Sequence, residues 1–134
     1  MIFQDIVNNV RFFRAWAGAT INTNTDTTST IVVDSQGFEA VAFAVPTATI
    51  TDGTYVLKII ECDSSDGTTG AAEVGSYQVQ NSVISTDDNT VKKVGAKLTK
   101  RYCTLRLTST GTTTGGVFGA AIAVLSGARN APVA

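Results

Sequence analysis

One stretch restricts the fold more than any other: KRYCTLRLTSTGTTTGGVFGAAIAVLSGARNAPVA, from Lys100 to Ala134. From Tyr102 to Thr108 the residues alternate. Cys103, Leu105 and Leu107 fall on one side, and Tyr102, Thr104, Arg106 and Thr108 fall on the other. Alternation with period two marks a half-buried strand, because successive side chains of extended backbone point to opposite faces. Val117 to Leu125 differs in kind, since it presents no polar face. A strand apolar on both sides is covered on both sides, by a second sheet, a crossing arm or another subunit. Ser109 to Gly116 lies between the two and supplies glycines where a hairpin needs positive φ. The two strands are therefore expected to pair as a hairpin.

The rest of the chain repeats this grammar. Thr30–Asp34, Phe38–Val45, Tyr55–Cys62, Glu73–Val79 and Thr90–Ala96 read as strands, with a short one at Ser82–Ser85. Turn sequences such as Asp34-Ser35-Gln36-Gly37, Asp52-Gly53 and Asp66-Gly67 separate them. Pro46 is expected to end the second strand, since proline donates no ladder hydrogen bond. Seven or eight short strands at turn-separated intervals predict an all-β chain: one jelly-roll-like β-sandwich or barrel. The domain is expected over residues 30–134, with an irregular C-terminal tail. Residues 1–29 read as an N-terminal arm and linker.

That arm is least like the rest. Ile2, Phe3, Ile6, Val7, Val10 and Phe13 recur at helical spacing, and Phe12, Phe13 and Trp16 add aromatic bulk between Arg11 and Arg14. Two readings follow. One is a short amphipathic helix capping the barrel. The other is an arm, dispensable for folding, that docks on a partner, since interfaces are enriched in aromatics and arginine.

Composition excludes several functions. The chain has 134 residues, a net charge of −1 and no histidine. Near-neutrality provides no field to attract nucleic acid. Lys92, Lys93, Lys97, Lys100 and Arg101 read as a solvated or partner-facing sheet edge, since lysines blunt exposed edges. No stretch approaches the length of a membrane span. Asp5 stands where a secretory leader would be basic, so the chain is expected on the cytosolic side. Cys62 and Cys103 read as buried thiols, with a disulfide between neighbouring strands as the lesser alternative.

Without histidine the usual nucleophilic triads and histidine-based metal sites are missing. Asp63 and Asp66 form a weak calcium candidate, because their spacing departs from the EF-hand pattern. Glu39 and Glu61 form a weak hydrolytic pair. No cofactor is expected, and no enzymatic activity.

Three stretches carry a family resemblance. The first is Asp34-Ser35-Gln36-Gly37-Phe38-Glu39-Ala40. The second is Ile50-Thr51-Asp52-Gly53-Thr54-Tyr55 running into Glu61-Cys62-Asp63-Ser64-Ser65-Asp66-Gly67. The third begins at Lys100-Arg101-Tyr102 and passes through Thr112-Thr113-Thr114-Gly115-Gly116 to Val124-Leu125 and the tail Arg129-Asn130-Ala131-Pro132-Val133. In order and spacing they resemble the head decoration, or cement, proteins of tailed bacteriophages, from about Val33 onward. Thr68-Thr69-Gly70 departs from that pattern, and the N-terminal arm has no counterpart in it. The resemblance implies a jelly-roll-like domain on the outside of an icosahedral capsid, joining major capsid protein subunits. It also implies self-association as a dimer or trimer, assembly in the host cytoplasm, and no nucleic-acid or membrane partner. Candidate contacts are Phe12, Phe13, Arg14 and Trp16 in the arm, Arg101 and Tyr102 in the matched motif, and Arg129 and Pro132 in the tail. The alternative is a carbohydrate-binding sandwich of a virion fibre or spike, which requires a row of exposed aromatics.

Overall fold

The computed structural model describes residues 10–127, which contain thirteen strands and no helix. Numbered in chain order, the strands form two antiparallel sheets that pack as a sandwich and do not close into a barrel. The seven-stranded sheet runs β1 (Arg11–Trp16), β13 (Ala121–Ser126), β5 (Ala40–Ile50), β10 (Val91–Lys97) and β8 (Tyr77–Val79). Its remaining strands are β12 (Gly116–Phe118), which pairs with β5, and β2 (Ala19–Ile21), which pairs with β12. The six-stranded sheet runs β3 (Asp26–Thr28), β11 (Tyr102–Thr110), β6 (Thr54–Cys62) and β7 (Ala72–Glu73). In that sheet β4 (Val33–Asp34) pairs with β11, and β9 (Ser82–Val83) with β6.

Alternation decides which side chains enter the core. Val41, Phe43 and Val45 of β5, Val94 of β10, and Ala121, Ala123 and Leu125 of β13 come from one sheet. Tyr55, Leu57 and Ile59 of β6 and Cys103, Leu105 and Leu107 of β11 come from the other. At one end of the sandwich Phe118 packs edge-on to Tyr55 (ring centroids 5.0 Å) and tilted to Trp16 (5.9 Å). Such aromatic pairs stabilise by about 0.5–1.5 kcal/mol beyond the area they bury.

Several expectations are corrected. β11 and β12 do not form a hairpin, because β11 lies between β3 and β6 whereas β12 pairs with β2 and β5 in the opposite sheet. The connection crosses between layers and is held by the Asp52 carboxylate, which accepts from the amides of Thr113, Thr114 and Gly115. Gly115 sits at φ +96°, and a Cβ there would strike the Ile21 carbonyl, so the glycine is needed for close approach rather than for a tight turn.

Pro46 does not end its strand, and β5 continues to Ile50. The Thr47 amide donates to Thr90 (2.8 Å), so the Pro46 backbone points to the other side of β5. There its carbonyl accepts from Gly119 (2.9 Å), in the gap where the neighbouring strand changes from β13 to β12. The missing donor therefore falls where the ladder is already interrupted.

The helix read near the N-terminus is a strand over Arg11–Trp16, paired with β13 from Arg11↔Leu125 to Trp16↔Ala121. Its last residues, Ala15 and Trp16, are buried in the core. Residues 1–9 and 128–134 lie outside the described residues. The two cysteines are free. Cys62 opposes Tyr102 and Cys103 opposes Glu61, so the thiols occupy opposite faces of the six-stranded sheet. The lysines are not all on an edge, because β10 lies between β5 and β8.

Candidate interaction surface

The outer faces of the two sheets differ in chemistry. On the six-stranded sheet the outward residues satisfy one another. Thr108 donates to Asp26 (2.6 Å), and Arg106 donates to Thr28 (2.8 Å). The loop after β6 folds back over Thr104, with Gly67 packed close to Val32 and Thr104. This outer face is polar or already covered.

On the seven-stranded sheet the register places Phe12, Val124, Ala42, Gly95 and Val79 in one row across five strands. A second row holds Arg14, Ile122, Ala44 and Lys93. Phe12 is 56% exposed and Ile122 49%. Five of the six large exposed hydrophobic residues among the described residues stand on this sheet: Phe12, Val79, Val91, Val117 and Ile122. Scattered apolar residues are normal on a protein surface, but a contiguous patch of them marks a contact surface.

Charge sharpens the contrast. The strands of this sheet carry Arg11, Arg14, Lys92, Lys93 and Lys97 and no carboxylate. Lys92 pairs with Asp87 (2.9 Å), and Arg11 stacks over Phe13 (4.7 Å). The alternation on β1 and β10 leaves Arg14, Lys93 and Lys97 on the outer side, all exposed.

The acidic groups lie elsewhere, and several act as backbone clips. Both oxygens of the buried Glu61 accept from Thr99, one from its hydroxyl (2.7 Å) and one from its amide (3.0 Å), which fixes the turn between β10 and β11. Asp66 accepts from the Thr69 hydroxyl and from the amides of Thr69 and Thr68, and these bonds hold its carboxyl down at about 2. The amides of Thr114 and Gly115 lower Asp52 in the same way. Asp63 receives Lys100 at 3.3 Å. Glu61, Asp63 and Asp66 thus make contacts that hold loops, and among the described residues no group of three or more metal-ligating side chains assembles.

The contact residues expected from sequence are dispersed. Phe12 and Arg14 share the apolar face of the seven-stranded sheet. Phe13 points inward and packs against the core, while Trp16 is a core residue against Phe118. Arg101 makes a two-pronged bond to Asp34 (2.9 and 2.8 Å) and lies over the Tyr102 ring (4.9 Å), at the start of β11 in the other sheet. Arg129 and Pro132 lie outside the described residues. The tyrosines form no aromatic row: Tyr55 is buried, and the Tyr77 hydroxyl is bound between the Ile59 amide and Glu73. Lys93 and Lys97 belong to the run read as a solvated or partner-facing edge, whereas Ile122, Val124 and Val79 are not among the contacts expected from sequence. Their signal was present in the strands apolar on both faces, of which one face proves to be open.

No protein-family model matches this chain, and no curated protein sequence matches it. Among solved structures it is similar to the SPBc2 prophage-derived protein YomS, with a TM-score of 0.48 and 9% identity over 87% of this chain and 92% of that one. It is also similar to a chain of the T13 IBDV viral particle, with a TM-score of 0.52 and 15% identity over 92% of this chain. The match covers 33% of the viral chain, so this chain corresponds to about a third of it. The likeness is one of fold. A β-sandwich of this kind forms part of a chain in an icosahedral virus.

Proposed function

We propose that this chain is a structural protein of a virion, a decoration or cement protein that binds the outside of a tailed-phage capsid and bridges its major capsid protein subunits. The observation that carries the reading is the open apolar face of the seven-stranded sheet, on which Phe12, Val124 and Val79 share one row. A capsid-binding protein works by burying area on a partner, and this face is where the chain has area to bury. The resemblance of its residue succession to head decoration proteins agrees with this role. So does a fold also found in a viral particle. Many identical copies over a shell make modest individual contacts sufficient.

The test is co-sedimentation of the purified protein with capsids that lack it. The expected result is saturable binding at a fixed ratio to capsid subunits, with shells that better survive heat. A well-behaved protein that never sediments with the shells would overturn the reading.

A further inference from the structure

The charge pattern of the open face identifies the chemistry of what covers it. We propose that the outer face of the seven-stranded sheet docks on an apolar protein surface fringed by carboxylates. Arg14, Lys93 and Lys97 form the cationic rim around Phe12, Ile122 and Val124. This rests on the capsid-binding reading and adds the face, its orientation and the partner's charge.

Three observations carry it. The first is the sign of the charge: among the described residues the strands of this sheet hold five cations and no carboxylate, although the whole chain has a net charge of −1. Glu39, just before β5, and Asp87 and Asp88, just before β10, stand in connections. Asp87 is held by Lys92, and Asp88 accepts from the Ile50 amide (2.6 Å). The second is the arrangement. Arg14 and Lys93 end a row whose middle is Ile122 and Ala44, and the neighbouring row is wholly apolar. An apolar centre with a charged rim is the anatomy of a protein–protein contact. A phosphate backbone is met by a dense cluster or stripe of cations, whereas the three exposed cations here are spread around apolar rows. The third concerns self-association. A second copy placed face to face by a two-fold axis would bring the same cations together, and like charges across an interface are unfavourable. The face therefore selects a partner other than its own copy in symmetric pairing. The polar six-stranded sheet is left facing outward.

The test uses stripped capsids, the intact protein and a salt series. Wild-type binding is expected to weaken as sodium chloride is raised, because rim charges are screened. Lys93→Gln/Lys97→Gln is expected to bind about tenfold more weakly at low salt and to lose most of the salt dependence. Ile122→Glu, which puts a carboxylate at the centre of the patch, is expected to weaken binding about thirtyfold or more. Lys58→Gln, on the opposite sheet, is expected to bind as wild type does. Circular dichroism melting confirms that each variant is folded. Carbodiimide coupling on the saturated shell is expected to join Lys93 or Lys97 to acidic residues of a shell protein. If wild type never binds, both this inference and the capsid-binding reading fall. If wild type binds and neither face variant differs from it, the inference alone falls. It also falls if coupling joins these lysines only to a second copy of the chain, or if a short DNA duplex binds in place of the shell with the same salt dependence.

Discussion

Asp52 does at the residue scale what a hairpin turn would otherwise do. Its carboxylate gathers the amides of Thr113, Thr114 and Gly115, so the chain can leave one sheet and enter the other without unpaired donors. Those amides favour the ionised form and hold the carboxyl below its usual value. The guanidinium of Arg101 does the same for Asp34, and the Thr69 hydroxyl and amide for Asp66. The direction of the pH effect follows. These groups bind protons less readily folded than unfolded. Their stabilisation is whole above the unfolded value of about 4, is lost as pH falls through the lowered folded values, and is gone once both states are protonated. The melting temperature is expected to hold between about pH 5 and 7 and to fall below about pH 4. Asp52→Asn should melt lower than wild type at neutral pH and converge with it in acid. Melts recorded by circular dichroism from neutral to acid check this, and a constant offset between the two curves would contradict it. Thr104 makes a second residue-scale case. It is buried beneath the loop after β6, and its hydroxyl is the one buried side-chain polar atom without a partner among the described residues. Thr104→Val removes an unsatisfied group and keeps the shape. It is expected to be neutral or to stabilise by about 1 kcal/mol in urea unfolding.

At the scale of elements, β1 is the segment whose role changes most between sequence and structure. It covers the edge of β13 and delivers Ala15 and Trp16 to the core. Deleting residues 1–17 is therefore expected to cost more than an arm would. Loss of a buried Trp alone is worth about 3–5 kcal/mol, and the deletion should produce aggregated protein or a non-cooperative melt. A soluble, cooperatively melting product would return the segment to the status of an arm. The sequence made strands 6, 10 and 11 legible because their alternation or turn flanks are local. It hid β1, because its strand state depends on pairing with β13, more than a hundred residues away, while its aromatics and arginines fit helical spacing equally well. The hairpin reading of β11 and β12 failed for a related reason. Glycines announce a reversal, but Gly115 serves a close approach to Ile21, and the partner choice is made by Asp52 sixty-odd residues earlier. Pro46 was misread because the position of a gap in the neighbouring strand cannot be seen from β5 alone.

For the whole molecule, the sandwich has two unlike outer faces. One sheet shows polar pairs such as Thr108 with Asp26, while the other shows apolar rows bordered by cations. β5 and β13 were legible as strands apolar on both sides, and the expectation that something covers both sides led to this face. Which contact residues gather there was only half legible. Phe12 and Arg14 reach it, whereas Trp16 turns inward, because a bulge between Arg14 and Trp16 resets the alternation of β1. The proposed coating of a shell through one face, with solvent at the other, would use this asymmetry. The most direct measurement is a cryo-electron microscopy reconstruction of stripped capsids saturated with this protein. The account predicts added density on the outer surface, with the seven-stranded sheet lying against the shell and the six-stranded sheet facing solvent. Added density with Phe12 and Ile122 facing solvent, or no added density at saturation, would contradict it.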